Sequence, residues 1–106
     1  MGILARAKHG AREAAAKTGW IAMHCVYLLR SDYHPEQRHV GFSTDLKERL
    51  RVHNSGGSPH SSKFRPWQLV DYAAFRDEHR ALEFERYLKS HSGQAFASKR
   101  LWQVVP

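Results

Sequence analysis

Two ionisable side chains near the middle of the chain fall on a face where apolar residues would be expected. Residues 46–53 read as a helix, and at about 100° per residue Arg49 and His53 project beside Leu46 and Leu50. An arginine and a histidine on an inward face need polar partners. The alternative is an arginine at the rim of the core that keeps its charged end in water. The pair therefore indicates a polar site or a rim arginine.

A carboxylate lies in a similar position in a second predicted helix. With Ala81 as the reference, Glu85 falls inside the apolar stripe, between Ala81 and Leu82, whereas Glu83 faces away. An inward carboxylate on an apolar face needs a cation, either an arginine or a metal ion. The sequence leaves two interpretations open, which are a salt bridge to Arg49 and a metal site.

The first half of the chain predicts the elements that position these side chains. Residues 25–30 and 38–42 are β-rich runs, and the Asp, Pro and Ser between them favour a turn, which suggests an antiparallel hairpin. A helix should follow, with Thr44 or Asp45 as its N-cap and Glu48 placed as in a capping box.

The second half predicts a strand and two helices. Residues 67–75 are apolar on both alternating sets, so this third strand should be covered on both faces, with Trp67 and Tyr72 in the core. Asp77 can begin a helix that reaches to about Lys89, and the tail to residue 101 reads as a turn and a short basic helix.

The composition is that of one small basic domain. The chain has 106 residues, a net charge of +7 and a sequence pI of about 10.0, which favours a polyanion or an anionic surface as partner. No apolar run approaches the roughly 20 residues that span a bilayer. Cys25 is the only cysteine, which excludes an internal disulfide, makes the cytoplasm the default location and suggests a buried thiol.

The first 22 residues differ from the rest. Basic residues alternate with alanines, and Glu13 is the only acid among them. We predict a basic N-terminal extension over residues 1–22 and one domain over residues 23–106. A loosely ordered arm, an extension from a wrongly assigned start codon, a DNA-contacting arm and a transit peptide are all compatible with this composition.

The order of these motifs resembles a known family. A Tyr-bearing strand (residues 25–27), a Gly-bearing strand (residues 39–41) and a helix with Arg49 and His53 are followed by related segments at residues 65–72 and 80–89. This set resembles the GIY-YIG nuclease domain over roughly residues 24–101, and most of all its small single-domain bacterial members. The resemblance implies an α/β fold, with a three-stranded antiparallel sheet flanked by helices. It also implies a metal-dependent DNA endonuclease, structure- or damage-directed.

The resemblance also implies roles for individual residues. Glu85 would hold a single Mg²⁺ or Mn²⁺ ion. Arg49 would steady the attacked phosphate, and Tyr27 would lie near the nucleophilic water. His53 is a candidate for proton transfer. His39 stands where the family usually has its second Tyr, and a neutral imidazole can act as a base at pH 7.

Two departures from the family pattern favour an alternative function. His39 replaces a tyrosine, and the Asn that many members carry after the metal-binding Glu is missing, since Asn54 is the only Asn and lies upstream. A non-catalytic nucleic-acid-binding module that retains the fold is therefore the second hypothesis.

Two basic segments are candidate nucleic-acid contacts. Ser62, Lys63 and Arg65 lie in a Gly/Ser/Pro-rich loop directly after the helix of His53, and Lys99 and Arg100 lie in the tail. An ordinary solvated loop is the alternative for the first segment. The expected partner is DNA, with RNA, a second copy of the chain and an accessory protein left open, and no membrane is expected.

Overall fold

The computed structural model describes the backbone of residues 3–5 and, in full, residues 23–56 and 62–103. The described elements are β1 (Ile3–Ala5), β2 (His24–Ser31), β3 (Arg38–Ser43), α1 (Leu46–Ser55), β4 (Trp67–Phe75), α2 (Glu78–Lys89) and α3 (His91–Arg100). The strands form one antiparallel sheet in the order β1-β4-β2-β3. The predicted α/β class, with β2, β3 and β4 as an antiparallel sheet, is confirmed.

A short fourth strand comes from the N-terminal segment. Ile3–Ala5 pairs with β4, with Leu4 opposite Ala73. The three predicted strands are all present, and β1 is an addition to them that was not predicted, because a three-residue strand beside an alanine-rich, helix-forming run carries no period-2 pattern. The remainder of the predicted extension lies outside the described residues, and the division of the chain at residue 22 stays a prediction.

Strand β2 lies in the middle of the sheet and supplies side chains to a core on each face. One core contains Val26 and Leu28, packed against β4, α2 and α3. The other core contains Cys25, Tyr27 and Leu29, packed against Trp67 and Tyr72 with Leu46 and Leu50 of α1 beside them. Both faces of β4 are covered, as its apolar sequence predicts, and Cys25 is buried.

The helix starts follow the predicted capping chemistry. The Asp45 carboxylate accepts a hydrogen bond from the backbone N–H of Glu48 at 3.1 Å, which makes Asp45 rather than Thr44 the N-cap of α1. The Glu48 carboxylate binds Arg51 at 2.7 Å, so it does not complete the reciprocal capping box. Asp77 caps α2 in the same way through the N–H of Arg80 at 3.1 Å.

A tight junction joins α2 to α3. Ser90 caps α3 by accepting a hydrogen bond from the N–H of Gly93 at 3.1 Å. A Cβ at residue 93 would overlap the backbone carbonyl of Tyr87, so only glycine allows the two helices to approach this closely. The close approach places α3 on the same side of the sheet as α2. None of the described helices has the length and apolarity that a bilayer crossing requires.

Candidate active site

The site is built around Tyr27, whose position depends on a glycine in the neighbouring strand. Tyr27 lies in β2, directly opposite Gly41 of β3. A Cβ at Gly41 would overlap the phenol oxygen of Tyr27, so the ring occupies the space that a side chain would otherwise fill. Tyr27 is only 2% exposed. The packing of the Tyr27 ring therefore explains why the second strand of the sequence pattern carries a glycine at residue 41.

Helix α1 brings His53 to the phenol of Tyr27. The Tyr27 oxygen and His53 Nε2 lie 3.1 Å apart in a buried hydrogen bond between residues 26 positions apart in the chain. His53 is 5% exposed. Its predicted place on the inward face of α1 is confirmed, and the polar partner that such a side chain needs is a tyrosine hydroxyl.

The electrostatic environment keeps both partners neutral. Burial raises the pKa of Tyr27, the positive charge of Arg49 lowers it, and the negative charge of Glu85 raises it again. Burial lowers the pKa of His53, and Arg49 lowers it further. His53 is thus a neutral imidazole at pH 7, and in its Nδ1–H tautomer Nε2 accepts the phenol proton. Tyr27 and His53 thus provide the proton donor and the proton acceptor that a proton relay needs.

His39 joins this pair from the edge strand. Its ring centroid lies 4.8 Å from that of His53 and 5.9 Å from that of Tyr27. Trp67 packs against both imidazoles, at 6.3 Å from His39 and 6.5 Å from His53. Three of the predicted catalytic residues therefore form one cluster with a buried indole behind them.

Arg49 occupies a different position from the one that the helical projection predicts. The projection puts it on the buried stripe of α1, but its side chain is exposed, while Leu46 and Leu50 are half-buried. The buried stripe is narrow, and a guanidinium at its border keeps its hydration, which is the rim alternative. Its charge still acts on Tyr27 and His53. Arg49 therefore borders the site with its donors accessible to a ligand.

Glu85 lies at the edge of the apolar stripe of α2. Its side chain is 22% exposed, beside the fully buried Ala81. The cation in contact with it is Lys89, whose Nζ lies 3.0 Å from Glu85 Oε2, and not Arg49 as the salt-bridge alternative supposed. Because the charge of Glu85 also influences the pKa of Tyr27, the carboxylate belongs to the surroundings of the cluster.

The donor set around Glu85 suits a hard, partly hydrated cation. Within residues 23–56 and 62–103, no three His, Cys, Asp or Glu side chains come together as metal ligands. A metal at Glu85 would therefore have a single protein carboxylate and would take its other ligands from water and phosphate, which is a common arrangement for Mg²⁺. The partial exposure of the carboxylate leaves room for such ligands.

The predicted nucleic-acid contacts lie in two separate places. Lys63 and Arg65 are exposed, Ser62 is half-buried, and Lys63 Nζ lies 5.9 Å from the Phe64 ring, which itself packs against Trp67. This segment therefore borders the aromatic side of the cluster. Lys99 and Arg100 are exposed in the last turn of α3, in a different part of the fold.

Asn54 has a structural role that the sequence analysis missed. Its side-chain amide donates to the carbonyl of Trp67 at 3.1 Å, and its Oδ1 accepts from the N–H of Trp67 at 2.5 Å. This two-way bond resembles a rung of a β-ladder and joins the end of α1 to the start of β4. It fixes Trp67 behind the two imidazoles. In the sequence, the feature that could have indicated this role is the position of Asn54 directly after His53.

Comparison with known proteins identifies the family to which this fold belongs. A family model described as the GIY-YIG catalytic domain matches residues 23–100, which include all the elements from β2 to α3. The chain belongs to the GIY-YIG family. Tyr27, Gly41, Arg49 and Glu85 of this GIY-YIG domain are the residues that the sequence resemblance singled out.

Relatives of this GIY-YIG chain include small and large proteins. A UPF0213 protein of Haloquadratum walsbyi is 33% identical over 70 residues, which cover 65% of this chain and 76% of the relative. The structure-specific endonuclease subunit SLX1 of Podospora anserina is 31% identical over 94 residues, covering 74% of this chain and 27% of the relative. An SLX1 homolog of Drosophila mojavensis is 39% identical over 85 residues, again 27% of its length. The chain thus spans about a quarter of the SLX1 proteins that it resembles.

Proposed function

We propose that this chain is a metal-dependent endonuclease that hydrolyses phosphodiester bonds in DNA. The observation that supports the proposal most is the buried 3.1 Å contact between the Tyr27 hydroxyl and His53 Nε2, next to the charges of Arg49 and Glu85. Family membership supports it, and so do the printed names of the SLX1 relatives, which are structure-specific endonuclease subunits.

Tyr27 and His53 supply the proton transfer. Phosphodiester hydrolysis needs a water that loses a proton as it attacks. A tyrosine whose pKa is raised by burial is protonated at pH 7, so it is a poor base on its own. It can accept a proton from water only as it gives its own to His53 Nε2, which is neutral and able to accept. His39, with its ring 4.8 Å from that of His53, is a second imidazole next to the relay.

Arg49 and Glu85 supply the charges. The exposed guanidinium of Arg49 can bind the attacked phosphate through two parallel N–H donors and so offset the charge that develops on it. Glu85 would hold the Mg²⁺ or Mn²⁺ ion, with Lys89 as the present partner of its carboxylate. When bound, the metal would supply Lewis-acid stabilisation of the phosphoryl and leaving oxygens.

The substrate we propose is DNA with a branch or a junction between single and double strands. The +7 charge favours a polyanion. The described elements form a single small domain, which offers little surface for reading a base sequence, so a shape-dependent choice of substrate is expected. Since two SLX1 relatives are named as subunits of a structure-specific endonuclease, an accessory protein that selects the substrate is part of the proposal.

The test is cleavage of labelled single-stranded, duplex and forked DNA with Mg²⁺ or Mn²⁺. Glu85→Gln should lower the cleavage rate at least about 100-fold, because removing a group that stabilises transition-state charge has effects of this size. Glu83→Gln is the matched control, since it removes a carboxylate from an exposed position of the same helix. Its rate should stay within about twofold of the parent, as for a weak surface charge.

Each outcome assigns the function. Metal-dependent cleavage that is lost in Glu85→Gln and kept in Glu83→Gln supports the endonuclease. DNA binding without cleavage, equal in all three proteins, would instead assign the non-catalytic binding module. In that case His39 would be the first residue to change to Tyr.

A further inference from the structure

A cleft on the other side of His39 shares that residue with the catalytic cluster and shares none with the two basic segments described above. It lies between the edge strand β3 and helices α2 and α3 and has a volume of about 470 Å³. This volume is within the roughly 300–1,000 Å³ of small-molecule sites. Its basic, polar and aromatic residues are accompanied by two aliphatic ones, and none of the lining residues is acidic. The lining consists of Arg38, His39, Val40, Leu88, Lys89, Gln94, Ser98 and Trp102.

The cleft has cationic donors suited to phosphate. Arg38 is exposed, and its guanidinium carbon lies 4.9 Å from the ring centroid of Trp102, which is 7% exposed. A cation–π contact uses the charge of the guanidinium and not its N–H groups, which stay able to donate to an anion. The Gln94 amide nitrogen donates to the carbonyl of Lys89 at 3.0 Å, so the α2–α3 junction forms a defined wall.

The cleft is continuous with the catalytic cluster through two residues. His39 both lines the cleft and packs against His53. Lys89 lines the cleft and contacts Glu85, which lies four residues earlier in α2, with 3.0 Å between Lys89 Nζ and Glu85 Oε2. β3 is an edge strand of the sheet, and its residues Arg38, His39 and Val40 form one wall of the cleft.

We propose that this cleft binds the nucleotide next to the cleaved bond, with its phosphate on Arg38 and Lys89. The strand would then run from Arg49, past His39, and into the cleft. Recognition is through the backbone and carries no base sequence, which agrees with a domain that selects DNA by shape. The inference rests on the proposed DNA substrate, and a binding measurement without metal separates it from cleavage.

The first experiment measures binding of a fluorescein-labelled forked DNA by anisotropy in EDTA. Arg38→Gln should weaken binding about fivefold, and the slope of log affinity against log salt should decrease by about one. Arg80→Gln is the control, because it removes the same charge from the exposed opposite face of α2, about 180° from Lys89. It should bind like the parent. Arg38→Lys, which keeps the cation, should recover most of the affinity and exclude a simple loss of fold.

The second experiment identifies the phosphate. A neutral methylphosphonate is placed, one position at a time, at the linkages on either side of the cleavage site or, for an inactive chain, along the labelled strand. At one position the substitution should weaken binding about fivefold in the parent and not at all in Arg38→Gln. Equal binding by Arg38→Gln and Arg80→Gln, or equal effects of every linkage in both proteins, would overturn the cleft as a binding site even if cleavage is observed. Loss of binding through Arg38 in a chain that does not cleave would keep the cleft and refute the nuclease.

Discussion

Tyr27→Phe removes a single oxygen from the middle of the proposed relay. The ring stays in place over Gly41, since the residue is 2% exposed and held in β2 between two neighbouring strands. The change removes the hydrogen bond to His53 Nε2, whose length is 3.1 Å. Removing one partner of a buried hydrogen bond costs about 1–3 kcal/mol. We therefore expect the free energy of unfolding to decrease by about 1–3 kcal/mol, and Tm by about 4–8 °C for each kcal/mol lost.

The expected effect on cleavage is much larger. Positioned acid–base groups contribute about 10²–10⁴-fold to a rate, so Tyr27→Phe should cleave at least about 100 times more slowly. The stability loss cannot explain such a decrease, because a domain with about 5–15 kcal/mol of stability stays folded after losing about 1–3 kcal/mol. A large loss of cleavage rate together with a small loss of stability thus distinguishes a relay residue from a structural one.

The assay compares single-turnover cleavage and thermal unfolding for Tyr27→Phe and Tyr72→Phe. Tyr72 is the matched control, since it is buried in β4 directly opposite Tyr27 and also carries one hydroxyl. Tyr72→Phe should retain a rate within about threefold of the parent, as expected for a change away from the transition state. A Tyr27→Phe protein that cleaves as fast as Tyr72→Phe would refute the relay.

Two further predictions concern Arg49 and His53. Arg49→Ala should lower the cleavage rate about 100-fold or more. Arg51→Ala is the control, because it removes an exposed arginine that is bound to Glu48, and it should lower the rate less than about threefold. Equal losses in the two variants would contradict the assignment of Arg49 to the site. Because burial and Arg49 lower the pKa of His53, kcat/KM should be constant at neutral pH and fall only below the ordinary histidine pKa of about 6.5. The pH midpoint of kcat should be higher than that of kcat/KM, and identical midpoints would exclude an effect of bound substrate on His53.

Local chemistry made most of the fold predictable. The third strand was predicted over residues 67–75, and β4 has these bounds, because an apolar run between loop and cap residues leaves few alternatives. An N-cap at Thr44 or Asp45 and another at Asp77 were predicted because one side chain satisfies a backbone N–H within its own turn, and the structure has Asp45 and Asp77 in these roles. Strand β1 was not predictable, since its pairing with β4 depends on contacts distant in sequence.

The site was predictable in its residue types and less so in its contacts. A helical projection gives the direction of a side chain but not the width of the buried stripe, and for this reason it placed Arg49 too deep. Likewise, it indicated that Glu85 needs a cation without showing that Lys89, one turn later, supplies it. The bond between Asn54 and Trp67 joins two elements across a loop, so no local pattern reports it.

The pKa directions give the relay a dependence on substrate. Burial acts against the charged forms of both partners, raising the pKa of Tyr27 and lowering that of His53, so a proton moved from one to the other would leave two buried charges. Arg49 favours one half of this transfer and opposes the other, because its charge lowers both pKa values. A phosphate bound to Arg49 would offset that charge and thereby remove one of the two causes that make His53 a weak base. The free enzyme would then hold its relay neutral and inactive, and the substrate itself would increase the basicity of His53 at the moment when the attacking water loses its proton.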